Sequence, residues 1–389
     1  MPGRIAVTVS VLLVVTESQW FGTARAPGAL SRAGFEVNVL APKGSLVTQS
    51  QHIKRIAYLE PQTTTQQWLH AFAAMVRATA PLLVLPGDDV AYRLLQALVL
   101  APPEDMQPVL REQLTTLVKA SLGDPDCYRT SVEKTRLPAA AQALGVRVPG
   151  YTLVHTLDEA RAFAAAHGYP VVLKLNQSTG GNGVELISGD SELERAFFAL
   201  GSANKPDFDG TMVRHLLIQK QISGKVRFQN VAAWHGRIVA AWIVERVIAY
   251  PEPKGPSSVN RYYHDAQIRD FSERIVAGFG MTGLFSIEYI VDAQSGDAYL
   301  LEINRRITPG SHAGRIVNVD LCAALFAAAT STPMTTRPDL EPGEEHHVAK
   351  FPQEWLRDMN SPYLDQCRID APWDDPVLFE AMLAMRHNK

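Results

Sequence analysis

Val171-Val172-Leu173-Lys174-Leu175-Asn176-Gln177-Ser178-Thr179-Gly180-Gly181-Asn182-Gly183-Val184 is the stretch on which the fold turns. A short apolar run with strand character delivers one lysine, and a loop with three glycines in four positions follows. Glycine lets backbone N–H groups approach phosphate oxygens with no Cβ in the way, and Lys174 would set a cation against the same oxygens. Taken alone such a loop is more often a plain turn, and the Gly-Lys-Ser/Thr of a P-loop is absent.

Further along, Phe285-Ser286-Ile287-Glu288-Tyr289-Ile290-Val291 and Tyr299-Leu300-Leu301-Glu302-Ile303-Asn304-Arg305-Arg306 read as two strands joined by a turn containing Gly296. Period-two alternation puts Ser286, Glu288 and Ile290 on one face of the first. It puts Leu300, Glu302 and Asn304 on one face of the second. If the strands pair antiparallel, Glu288 and Glu302 converge with Asn304 beside them, a set of hard oxygen donors suited to Mg²⁺ carrying phosphates. The plainer alternative is a hairpin with both glutamates facing solvent. Their apolar neighbours weigh against it, because glutamate is seldom buried without a partner or a metal.

The flanking sequence supplies a frame. Strand-like and helix-like runs alternate near the start: Val9–Thr16, Ala24–Ala33 ended by Gly34, Phe35–Leu40, Trp68–Ala78 and Leu82–Leu85 before Pro86-Gly87-Asp88. That alternation points to a parallel sheet covered by helices, serving as scaffold or carrying part of a substrate site at its strand ends. No GxGxxG follows the first strand, so a dinucleotide site has no support. Asp126–Ala143 is helical in pattern, Tyr151–His155 a strand and Thr156–His167 a helix. Leu216–Ile222 and Ile238–Val247 are strand-like, and Asp265–Ala277 is a helix.

Composition excludes several classes. The chain has 389 residues, 46% hydrophobic and 20% charged with a net charge of -3, so it is globular and offers nucleic acid no basic face. Three scattered cysteines, Cys127, Cys322 and Cys367, argue against a disulfide framework or a cysteine-zinc site and fit the cytoplasm. Ile5–Val15 is apolar but lacks a cleavage site and is followed by Glu17, so it reads as a buried strand, with secretion the lesser alternative. No run is long enough to span a bilayer.

The lysine strand, glycine loop and late Glu…Glu-x-Asn set, in that order, resemble the ATP-grasp superfamily of carboxylate-amine ligase type over about Ala120–Val319. The resemblance implies an α/β fold, α+β in its second half. A Rossmann-like pre-ATP-grasp domain over 1–118 would precede a two-part ATP-grasp domain over 119–215 and 216–330, with a C-terminal extension over 331–389. It implies Mg-ATP as cofactor, with Mn²⁺ an acceptable substitute. Lys134 and Lys174 would bind nucleotide. Gly180, Gly181 and Gly183 would form the flap, and Gln219 with the backbone of Lys220 and Ile222 would hold adenine. Glu288, Glu302 and Asn304 would be the metal ligands, and Arg306 the arginine of the γ-phosphate, with Arg305 as its rival. The family often has an acidic residue for the ribose where this chain reads Lys225-Val226-Arg227, leaving Lys225 or Arg227 to reach phosphate or substrate. Ser311 and His312 lie close behind as candidates for a substrate carboxylate. The implied reaction activates a small carboxylate as an acyl phosphate and couples it to an amine. The alternatives are a carboxylase-type subunit using bicarbonate and a non-catalytic nucleotide-binding regulator. The expected partners are small molecules, without nucleic acid or membrane, and a homodimer stays open.

Overall fold

The computed structural model describes residues 9–19, 21–176, 183–203, 215–251 and 256–385. Three sheets organise them. The first is parallel, with order β3-β2-β1-β4, where β1 is Val9–Val14, β2 Phe35–Pro42, β3 Ile53–Leu59 and β4 Leu83–Pro86. Val11, Leu13 and Val39 pack under the helix Ala26–Ala33, and Leu12, Val14 and Leu40 pack under the helices Thr65–Thr79 and Asp89–Leu100. Near-continuous apolar runs in β1 and β2 follow from being covered on both faces. The Gly34 expected to stop the first helix does so at φ 113, a left-handed cap for which glycine has no Cβ penalty.

The second sheet, β5-β8-β6-β7, comprises β5 (Tyr151–Val154), β6 (Val171–Lys174), β7 (Val184–Ile187) and β8 (Leu216–Lys220). It lies under the helices Leu157–His167 and Asp190–Ser202. The first of these starts with a capping box in which Thr156 and Glu159 each satisfy the other's backbone N–H.

The third sheet has seven strands in the order β13-β12-β9-β10-β11-β14-β15. They are β9 (Gly224–Trp234), β10 (Arg237–Ala249), β11 (Ser257–Tyr263), β12 (Gly283–Asp292), β13 (Ala298–Asn304), β14 (Glu345–Ala349) and β15 (Arg368–Ile369). One face packs Phe285, Ile287 and Tyr289 against the helix Ala266–Gly278. The other packs Ala232, Trp242 and Leu284 against the helix Leu321–Thr330, which also touches the helix after β1.

Several segments differ from the sequence reading. Asp126–Ala143 is not one helix: a 3-10 turn at Pro125–Cys127 and a run of turns precede the helix Leu137–Ala143. Glu133 is held by Arg129 and Arg136 at 2.7 Å each, and Thr135 donates to the Asn176 side chain. These bonds fix the turns that present Lys134. β3, β9 and β11 were not foreseen, and β14 and β15 bring the C-terminal residues into the central sheet.

Candidate active site

β12 and β13 pair antiparallel with Glu288 directly opposite Glu302 and Ser286 opposite Asn304. The two carboxylates therefore share one face, as the alternation required. Leu300 does not share it. The register slips between Glu288 and Tyr289, so that Tyr289 faces Leu300 and Leu301 is the extra residue of a β-bulge. Leu300 points into the core with Ile287 and Tyr289, and only beyond the bulge do Glu302 and Asn304 return to the Glu288 side. The expectation that Leu300, Glu302 and Asn304 share a face is corrected on this point.

Asn304 Nδ2 donates to Glu288 Oε1 at 2.7 Å, and its Oδ1 accepts from Arg306 Nη2 at 3.4 Å. Lys134 Nζ is 3.3 Å from Glu302 Oε2. Lys174, at the end of β6, is buried. Asn176 ties the two lysines together, since its carbonyl accepts from the Lys134 N–H at 3.2 Å and its side chain from Thr135. Burial, then the Glu302 carboxylate, raises the Glu288 carboxyl well above the ordinary range. Burial works against the Glu302 charge too, but Lys134 and Lys174 hold it lowered. Burial also lowers Lys174 to about 8 against the pull of Glu302. Two facing carboxylates and two lysines thus share a tight electrostatic balance. The Glu302 side chain remains 35% exposed, so the group opens onto a cleft.

No cluster of three or more His, Cys, Asp or Glu occurs among the described residues. Two carboxylates and one amide oxygen leave about half of an octahedral coordination sphere unfilled, which suits Mg²⁺ completed by phosphate oxygens and water. The residues fit the metal on that ground, once the Asn304 amide turns its oxygen inward.

The arginine question has a geometric answer. Arg305 is buried in the scaffold, its Nη2 on the Leu122 carbonyl at 2.5 Å and its Nη1 on Ser131 Oγ at 3.3 Å. Its guanidinium lies 5.4 Å from the ring centres of both Tyr92 and Phe285. Arg306 sits beside Asn304 and meets Asp89 Oδ2 through Nε at 3.1 Å. Asp89 was missed in the sequence. Its place just past the carboxyl end of a parallel strand, in Pro86-Gly87-Asp88-Asp89, was the available signal.

The remaining candidates divide. Gln219 is buried in β8, and the Lys220 N–H donates to the Gly150 carbonyl at 2.7 Å. Ile222, in the linker to β9, makes no backbone hydrogen bond among the described residues. Gly183 adopts φ +70, and its carbonyl accepts from Leu175 N at 2.8 Å. Gly180 and Gly181 lie outside the described residues. Lys225 and Arg227 do not approach the carboxylates. Arg227 is opposite Tyr289, on the far face, where both cations bind the buried Glu245 and Arg227 also binds Asp265. His312 is spent on Asp370 at 3.0 Å, and Ser311 on the Thr308 backbone at 3.2 Å.

Residues 133–335, more than half of the chain, match the family described as carbamoyl-phosphate synthase L chain, ATP binding domain. The chain belongs to this ATP-binding family. Acetyl-CoA carboxylase 2 of Arabidopsis thaliana is 25% identical over 258 residues, which are 64% of this chain and 11% of that protein. The chain therefore spans about a tenth of that relative's length. Among solved structures, biotin carboxylase from Campylobacter jejuni superposes with a TM-score of 0.65 at 15% identity, over 87% of this chain and 74% of that one. N5-carboxyaminoimidazole synthetase from Staphylococcus aureus, complexed with ADP, gives 0.61 at 12% identity over 87% and 81%. The biotin carboxylase domain of Hydrogenobacter thermophilus 2-oxoglutarate carboxylase, with MgADP and bicarbonate, gives 0.61 at 16% over 84% and 70%. These likenesses are of fold, and the fold is ATP-grasp.

Proposed function

We propose that this chain is an ATP-dependent ligase that activates a small carboxylate as an acyl phosphate and joins it to an amine, releasing ADP and phosphate. The observation that carries the reading is the direct opposition of Glu288 and Glu302, with Asn304, Lys134 and Arg306 in contact around them. Mg²⁺ on Glu288, Glu302 and Asn304 would supply charge neutralisation of the triphosphate. Lys134 and Lys174 bind its oxygens. Gln219, the Lys220 carbonyl and the Ile222 backbone hold the base, and Gly183 with Gly180 and Gly181 covers the phosphates and excludes water. The carboxylate oxygen attacks the γ-phosphorus and ADP departs. The amine nitrogen then attacks the acyl carbon, phosphate leaves with the amine's proton, and Arg306 holds the developing oxyanion.

The unit boundaries at 118, 215 and 330 are part of this reading, as is a cytoplasmic location, supported by three unpaired cysteines. No helix among the described residues is long and apolar enough to cross a membrane. A second reading has bicarbonate as the acid, favoured by the likeness to carboxylases. One experiment decides both. ADP release is measured over a panel of amines and carboxylates, with and without bicarbonate in carbonate-free buffer. Stoichiometric AMP, or no nucleotide turnover at all, overturns the proposal, and turnover that requires bicarbonate selects the second reading.

A further inference from the structure

The helix Ala26–Ala33 packs Ala26, Ala29 and Leu30 onto the first sheet. Arg25, Gly28 and Arg32, three and four residues apart, form a second stripe along it. The segment after β15 runs beside this stripe, and between them lies a cavity of about 280 Å³, walled also by Arg315 and Ile316 of the short helix Gly314–Val317. A Cβ at Gly28 would stand 3.1 Å from Arg32 Nη1 and 3.3 Å from His52 Cδ2, so glycine keeps that wall low. None of Lys134, Lys174, Glu288, Glu302 or Arg306 lines this cavity.

Arg25 is 7% exposed, and a guanidinium so buried needs partners. Its acceptors are the Phe351 carbonyl at 2.8 Å, the Asp370 carbonyl at 2.9 Å and Asp370 Oδ1 at 2.9 Å, and all three lie on Nη1. Nε and Nη2, the edge that grips a carboxylate with two parallel bonds, meet no acceptor among the described residues. Neither nitrogen is sealed in the core, so this edge opens to the cavity that Arg25 lines. Arg315 is exposed on another wall and has no partner among the described residues.

The other charges of the lining are committed. Asp370 is held by Arg25, His312 and Lys350, Asp374 by Arg32, and Asp375 by Ser50 and the Leu378 N–H. His312 is neutral, lowered to about 3 chiefly by burial. Three aspartates oppose a dianion, whereas a single negative charge answers the open Arg25 edge and Arg315. The rest of the lining is apolar, with Ile316, Ile369, Pro372 and Leu378 beside Trp373, whose ring is 70% exposed. Covering so large an exposed indole favours a ligand with an apolar body.

We propose that this cavity is a ligand site separate from the metal and nucleotide site, taking a small monocarboxylate with a branched or aromatic body. The carboxylate lies on the Nε–Nη2 edge of Arg25 with Arg315 beside it, and the body lies against Ile316 and Trp373. The proposal is independent of which acid the ligase activates. The full chain, without nucleotide, is titrated with phenylacetate and isovalerate by saturation-transfer NMR, against 2-phenylethanol, isoamyl alcohol and phenyl phosphate. Each carboxylate should bind about tenfold or more tighter than its alcohol, the weight of one charge-assisted hydrogen bond, and phenyl phosphate should bind no tighter than phenylacetate. Mg-ATP should leave the signal in place. Arg25→Lys keeps a cation for Asp370 but lacks the Nε–Nη2 edge, and should weaken the carboxylates by about tenfold or more. Arg315→Gln and Trp373→Ala, at exposed positions, should each weaken them about threefold or more with the circular dichroism of the fold unchanged. No carboxylate signal, equal binding of the alcohols, tighter binding of phenyl phosphate, displacement by Mg-ATP, or unchanged affinity in folded Arg25→Lys overturns the proposal. If Arg25→Lys does not fold, the two exposed variants decide: weakening in both upholds the site, and unchanged affinity in either removes it.

Discussion

Replacing Arg306 with alanine removes a guanidinium that meets Asp89 at 3.1 Å and the Asn304 side chain at 3.4 Å. Both partners belong to the site rather than to the core, and Asp89 is partly solvated at 24% side-chain exposure. Arg306 itself is buried, so its loss leaves the half-buried Asp89 without this cation, at a cost of about 1–3 kcal/mol of stability. The reaction loses a donor aimed at charge that develops only in the transition state. That costs about 3–4 kcal/mol, or roughly a hundredfold to a thousandfold in kcat, with Mg-ATP affinity changed by no more than a few fold. Arg305→Ala should do the reverse. It removes one of two donors to the Leu122 carbonyl, the Thr282 N–H at 3.3 Å remaining, and leaves a void between the Tyr92 and Phe285 rings. The expected loss is about 2–4 kcal/mol of stability, with turnover per folded molecule largely kept. Urea unfolding and single-turnover ADP formation, run on both variants, separate the two. If Arg306→Ala keeps kcat within about tenfold, or Arg305→Ala abolishes turnover while folded, the wrong arginine carries the role.

Glu288→Gln and Glu302→Gln should each abolish ADP formation and reduce the thermal stabilisation that Mg-ATP confers, with the apo fold intact by circular dichroism. Asp370 is buried between Arg25 and Lys350, and His312, lowered to about 3 chiefly by burial, is neutral beside it. Asp370→Asn should cost about 3–5 kcal/mol at neutral pH by urea unfolding. Against the burial that opposes it, the Asp370 charge is held well below its usual range by Arg25 and Lys350. Its contribution is present above the unfolded value of about 4 and is lost as pH falls through the lower folded value, so the gap to wild type should close only in strong acid. Gly183 at φ +70 would bring a Cβ to 2.7 Å from Leu175 Cδ1. Gly183→Ala should cost about 1–3 kcal/mol locally and appear as a raised KM for Mg-ATP.

What the sequence disclosed was what strong local pattern discloses. The apolar runs of β1 and β2, the Gly34 stop and the Glu288–Glu302 pairing were legible because burial on a regular element leaves a period. β3 was not, because Lys54 and Arg55 sit in its middle on an edge strand exposed along one side. β9 was missed for a related reason. Lys225, Arg227 and Gln229 look like a loop until Glu245 and Asp265 are brought opposite them by tertiary pairing. The helix expected from Asp126 fails at Glu133–Thr135, where bonds to Arg129, Arg136 and Asn176 outweigh helical propensity. Asp89 stood in plain view but had no partner until Arg306 arrived from residues far along the chain.

The extra residue at Leu301 sets a phase boundary within β13. Ahead of it the even positions, Ala298 and Leu300, face the interior; behind it the odd position Ile303 does, and the even ones carry chemistry. A saturation scan along this strand should therefore show tolerance alternating with one parity up to Leu300 and the opposite parity from Glu302 onward. A single-residue deletion at 301 is then a different lesion from any substitution there. It would make the strand regular, with Leu300 and Ile303 still facing the interior and Glu302 and Asn304 still on the Glu288 side, so it should remove the local twist of the bulge while sparing the side chains of the site.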